Sequence, residues 1–97
     1  MGLSAWRPTL LEDSLDLWLM IEPDRARRRA VLEFMVQLCE AGGLIDNAIG
    51  VRGTKLPAYA ATVPSQDVVL VWVVAAAYRE LAIRYLYDVD RGQYFGG

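Results

Sequence analysis

One stretch constrains this chain more than any other: DVVLVWVVAAAYRE, Asp67 to Glu80. From Val68 to Tyr78, eleven consecutive residues carry no charge. A membrane helix needs about twenty apolar residues. This run, closed by Arg79-Glu80, is therefore too short to span. Five of the seven residues Val68 to Val74 are valine. β-Branched side chains lose χ1 freedom in a helix and fit a pleated sheet. The pattern predicts a strand over about 67–75. A strand apolar on both faces is covered on both sides, so what lies on each face becomes the question.

The surrounding chain limits the answers. Its 97 residues predict one domain, 1–97, with one core. A composition that is 55% hydrophobic is rich for that size, and leaves apolar surface for a homo-oligomer or a partner to cover. With a pI near 5.0 the whole-chain charge does not favour nucleic acid. There is no histidine, which removes Ser-His and Cys-His nucleophilic catalysis, His-ligated metals and the commonest general base. The single cysteine, Cys39, forms no intrachain disulfide and reads as a buried structural thiol. The N-terminus MGLSAWRPTL has neither the cationic nor the apolar region of a signal peptide, and has Trp6 where a myristoylation site wants Ser or Thr. The expected location is cytoplasmic, with no membrane association.

Thr9-Leu-Leu-Glu12 has capping-box spacing, and Leu11, Leu15, Trp18 and Leu19 follow at helical intervals. A first helix is predicted over about 10–21. Pro23 ends it. Ala30, Val31, Phe34, Met35 and Leu38 form the stripe of a second helix over about 24–41, stopped by Gly42-Gly43. The short connection predicts an antiparallel hairpin of helices. Residues 42–56 read as a Gly-rich loop carrying Arg52 and Lys55, residues 57–63 as a short strand, and 64–67 as a turn. Residues 76–90 fit two templates. As a strand, Leu81, Ile83, Tyr85, Tyr87 and Val89 alternate with Glu80, Ala82, Arg84, Leu86 and Asp88. As a helix, Glu80, Arg84 and Asp88 form a polar stripe. Residues 91–97 read as a short tail.

The helix-2 ending LCEAGGL, the segment GTKLPAY and the run VVLVWVVAAAYRELAIRYLYDVDR together resemble the RelE/ParE superfamily of toxins from type II toxin–antitoxin modules. The resemblance spans about 10–91. It implies an α+β fold: an N-terminal helical hairpin packed on a small antiparallel sheet of three to four strands, often with an extra strand before the helices. It favours the strand template for the C-terminal segment. It also implies action on translation or DNA gyrase, neutralised by a cognate antitoxin protein, with ribosome-bound mRNA or gyrase as the target. Translation-blocking members are mRNA endoribonucleases using clustered Arg, Lys and Tyr or His. Here the start of the second strand reads Val68-Val69, and Asp88 and Asp90 would repel phosphate, which argues against nuclease chemistry.

The candidates follow from these readings. Arg79, Arg91, Tyr85 and Tyr87 are the catalytic candidates, with Arg79 and Arg91 on the tyrosine face by parity. Arg52, Lys55 and Arg84 are candidates for binding nucleic acid or another target. Val69, Val71, Val73 and Trp72 are candidates for a partner interface. Arg25, Arg27, Arg28 and Arg29 form the densest charge cluster. It reads either as a patch for nucleic acid or an acidic partner, or as a solvated face answered by Glu12, Asp13, Asp16 and Glu22. Asp88-Val-Asp90 starts like a calcium loop but lacks its later ligands. No cofactor or metal site is predicted. Beside the toxin stands a reading of another class: a non-catalytic interaction module, or homodimeric subunit, that buries an apolar sheet face.

Overall fold

A computed structural model of the chain describes residues 7–10, 14–52, 55–75 and 80–96. The order is β1 (Arg7–Leu10), α1 (Ser14–Ile21), α2 (Arg25–Glu40), β2 (Ile49–Val51), β3 (Ala58–Thr62), β4 (Val68–Ala75), β5 (Glu80–Asp88) and β6 (Gln93–Gly96). The fold is α+β, with the helical hairpin packed on a sheet. That sheet has more strands than the three to four expected. Its order is β1-β5-β4-β3-β2, and β6 pairs with β5 beyond β1. All pairings are antiparallel except β1 with β5, which is parallel.

Helix α2 forms where its sequence says it should. The Asp24 side chain caps it, accepting from the backbone N–H groups of Ala26 and Arg27. Its end is a Schellman turn: the Gly43 N–H donates to Leu38 O at 2.8 Å and that of Gly42 to Cys39 O at 3.4 Å. Both glycines have positive φ, 65° and 80°. Val31, Phe34, Met35, Leu38 and Cys39 are the buried face. Burial, and then the neighbouring Glu40 charge, pushes the Cys39 thiol up from its ordinary pKa, as befits an inert core cysteine.

The first helix differs from expectation. It starts at Ser14, and Thr9 and Leu10 lie in β1, so Thr9 is not its cap. The register Arg7↔Glu80 to Leu10↔Ile83 ties this segment to a strand near the other end of the chain. Local spacing cannot register such a pairing. Glu12 and Asp13 lie outside the described residues. The connection read as a loop contains β2, and the tail contains β6. The 57–63 strand, the 64–67 turn and the 67–75 strand stand almost as read.

Residues 80–88 are strand, with a correction to their faces. Val71 pairs with Tyr85, but the next residue, Trp72, pairs with Ile83. Arg84 is the extra residue of a β-bulge, which switches the alternation of β5. Leu81 and Ile83 therefore share the core face with Leu86 and Asp88, not with Tyr85 and Tyr87. On that face Val68, Leu70, Trp72 and Val74 of β4 join Leu81, Ile83, Leu86 and Phe95 beneath Leu15, Trp18 and the buried stripe of α2. One face of the apolar run is thus covered by the helices. Among the described residues, no helix is long and apolar enough to cross a membrane.

Candidate functional site

Two features stand out once the chain is folded. The first is a buried ionic cluster where the corner between α1 and α2 meets the end of β5. Glu22 and Asp88 are the two buried charged residues of the described chain, and Asp88 is fully buried. An isolated buried carboxylate is untenable, so each must be paired. Trp18 Nε1–H donates to Asp88 Oδ2 at 2.9 Å, and the Arg91 backbone N–H to Oδ1 at 3.1 Å. The Arg91 guanidinium lies 2.6 Å from Asp88 Oδ2 and 2.9 Å from Glu22 Oε1. Arg27 reaches Glu22 at 2.8 Å and Asp88 at 3.4 Å, with its guanidinium 5.7 Å over the Trp18 ring. The other oxygen of Glu22 accepts from the Asp24 N–H at 3.0 Å.

Burial by itself would raise the Asp88 pKa. The hydrogen bonds from Trp18 and from the backbone and guanidinium of Arg91, with the charge of Arg27, outweigh it and hold the carboxyl at about 2. The pKa of Arg91 is raised above its ordinary value, first by its hydrogen bond to Asp88 and then by that to Glu22. These groups satisfy one another. Asp88 is held ionised, and two guanidiniums occupy the space a cation would need beside it. Among the described residues, no cluster of three or more His, Cys, Asp or Glu could hold a metal ion.

The second feature is the other face of the sheet. The registers align its outward residues in rows. Ile49, Ala60, Val71, Tyr85 and Gly96 cross all five strands from β2 to β6. Thr62, Val69, Tyr87 and Tyr94 form the next row. Val51, Ala58, Val73 and Ala82 form a third. No residue in these three rows is charged; charges on this side of the sheet include Glu80, paired with Ala75, and Arg84 beside Tyr85. Ala58, Val73 and Ala82 make a small buried cluster at one end, separate from the main core. Elsewhere the face is open. Ile49 is 72% exposed and Tyr94 69%, while Val69, Val71, Tyr85 and Tyr87 are half-buried. The three tyrosine rings pack together, with centroids 4.5 Å apart for Tyr87–Tyr94 and 6.4 Å for Tyr85–Tyr94. The Arg84 guanidinium lies 5.9 Å over Tyr85.

The sequence candidates separate accordingly. Tyr85 and Tyr87 lie on the open face, whereas Arg91 is held in the ionic cluster on the helix side. Parity had placed Arg91 with the tyrosines; the turn after β5 undoes that. Arg79 lies outside the described residues. Arg84 is beside the tyrosines, while Arg52 and Lys55 are exposed on the β2–β3 connection. Val69, Val71 and Val73 share the open face. Trp72 does not: it is fully buried on the helix side, its Nε1–H donating to Gly43 O at 3.0 Å. Sequence reading missed Tyr94, which joins the face through β6. It also missed the roles of Glu22 and Arg27. A signal existed for Asp88, a charge in step with Leu86 on an apolar strand.

Phosphoryl chemistry needs cations and proton-moving groups converging on one point. The described candidates do not converge, since Arg91 and the tyrosines lie on opposite sides of the sheet. No family model, curated protein or solved structure matches this chain.

Proposed function

We propose that the chain is a non-catalytic interaction module that pairs with a second copy of itself through the open face of its sheet. The observation that carries this is the set of uncharged rows across that face, away from the helices. A two-fold interface brings the same patch together on both subunits, so each residue type must tolerate its own kind. Three uncharged rows with three tyrosine hydroxyls, each both donor and acceptor, meet that condition, with the charges of Arg84 and Glu80 lying beside them. The size fits a weak dimer. Strands β2 to β6 are three, five, eight, nine and four residues long, and at about 3.3 Å per residue and about 4.8 Å between strands they give roughly 450 Å² of face. Two such faces bury about 900 Å², the size of a weak, reversible interface.

Light scattering after size exclusion tests this. The wild-type chain is expected to run as a dimer, and Val71→Asp, at the centre of the face, as a monomer. A charge on β4 also burdens the fold, so Ile49→Asp at the open rim is the companion variant. It is expected to weaken the dimer by about tenfold or more with an unchanged melting temperature. Val36→Asp on α2, far from the face, leaves the dimer intact. A wild-type monomer at all concentrations, or a dimer indifferent to both face variants, overturns the reading.

One observation favours a second reading, a RelE/ParE-like toxin neutralised by an antitoxin: a strand, β1, precedes the helical hairpin, as the resemblance implies. The scattered cations favour action through protein contacts, as on DNA gyrase, over mRNA cleavage. Induced expression of the chain alone in a bacterium is then expected to arrest growth, and co-expression of an antitoxin to restore it. Unimpaired growth rejects this reading and leaves the first untouched.

A further inference from the structure

The arginine run at the start of α2 is divided by the fold. Arg27 turns inward to Glu22 and Asp88. Arg25, Arg28 and Arg29 stay exposed and make no ion pair among the described residues. Asp16 and Glu22, acids expected to answer them, form no salt bridge with them. These three cations sit in the first turns of a helix, where its dipole disfavours positive charge. The fold gains nothing visible from keeping them there.

Apolar residues continue their stripe. Leu32 and Val36 follow Arg25, Arg28 and Arg29 at helical spacing and are 46% and 57% exposed. Together with Glu33 they line one shallow groove. The helix is therefore apolar on two sides: Val31, Phe34, Met35 and Leu38 inward, Leu32 and Val36 outward. The outward side leads from positive charge at one end to apolar surface at the other.

We infer that this outer face of α2 docks an acidic amphipathic helix of a partner protein, its carboxylates on Arg25, Arg28 and Arg29 and its apolar side chains on Leu32 and Val36. The charge complementarity selects an anionic partner. The Leu32–Val36 step, one helical turn, suits side chains at i and i+4 of a second helix. Glu33 argues against nucleic acid: a carboxylate inside the groove repels a phosphate backbone, while a peptide can turn an uncharged position toward it. The surface is distinct from the open sheet face, so a dimer would present two such stripes.

The test uses the full chain and a labelled helical peptide of about eighteen residues, long enough to hold helix, with leucines at i, i+3 and i+4 and glutamates flanking them. Its scrambled isomer and a short DNA duplex are the comparisons. Anisotropy is expected to show saturable binding of the peptide, about tenfold weaker binding of the isomer, and weaker binding still of the duplex. The triple variant R25E/R28E/R29E is expected to lose about tenfold or more in peptide affinity, and Leu32→Ser with Val36→Ser a similar amount. The triple variant should melt at the same temperature as wild type or higher, since acids suit the start of a helix. Equal binding of peptide and isomer, tighter binding of the duplex, or indifference to either variant overturns the proposal. So does a lowered melting temperature, which would give the arginines a structural role.

Discussion

Replacing Gly43 by alanine is expected to cost this protein about 2–4 kcal/mol, a large part of the stability of so small a fold. Gly43 closes α2 with φ of +80°, which side chains rarely adopt. A Cβ there would stand 2.8 Å from Leu81 Cδ2, 2.9 Å from Val74 Cγ2 and 3.1 Å from Trp72 Nε1. Two of those neighbours are core side chains with little room to retreat. The third is the indole that donates to the Gly43 carbonyl. One methyl would thus strain the backbone, crowd the core and push on the Trp72 bond at once. Denaturant unfolding measures the loss. Gly50→Ala is the reference, since a Cβ at Gly50 meets nothing within 4 Å. Equal stability of the two variants would contradict the close approach of the α2 end to β4 and β5.

Asp88→Ala is expected to cost about 3–5 kcal/mol, because removing one member of a buried ion pair strands its partners. Arg27, Arg91 and the Trp18 indole would each lose an acceptor. Asp88→Asn keeps the shape and one acceptor, and should fall between. The same carboxylate has a pH signature. Its folded pKa, about 2, lies below its ordinary value. Its contribution is therefore fully present above the unfolded-state pKa and is lost as pH falls toward 2. For a shift of this size the contribution is about 2 kcal/mol. Wild-type stability should thus decline below about pH 4, and Asp88→Asn should decline less over the same range. Parallel pH profiles for the two proteins would mean that the cluster does not hold Asp88 ionised.

These two sites show where sequence reading succeeds and where it stops. Helix α2 was legible almost to the residue because its determinants are local: a capping Asp24, a stripe at helical spacing and a glycine pair. Strand β4 was legible from its valines. The chemistry of the sheet was not. Leu81 and Ile83 were grouped with Tyr85 and Tyr87 by an alternation that Arg84 interrupts, and a bulge is a property of the strand pair rather than of either strand. Trp72 looked like an interface residue because its run is apolar on both faces; only the helices decide which face is inside. Glu22 and Asp88 lie far apart in the chain, and Arg91 joins them through a turn that the sequence leaves open.

The sequence by itself determined an α+β chain with two helices ahead of its central strand, a hydrophobic run too short for a membrane helix, and an arginine-rich start to α2. It also excluded histidine-based chemistry. Tertiary structure alone decided that β1 runs parallel to β5, that β2 and β6 widen the sheet, that Arg27 is neutralised while its neighbours are not, and that one face of the sheet stays apolar and open. The division has a physical basis. Caps, turns and periodicity act between residues a few positions apart. Strand register, the side of a sheet that helices cover and the pairing of buried charges depend on residues the chain brings together only when it folds.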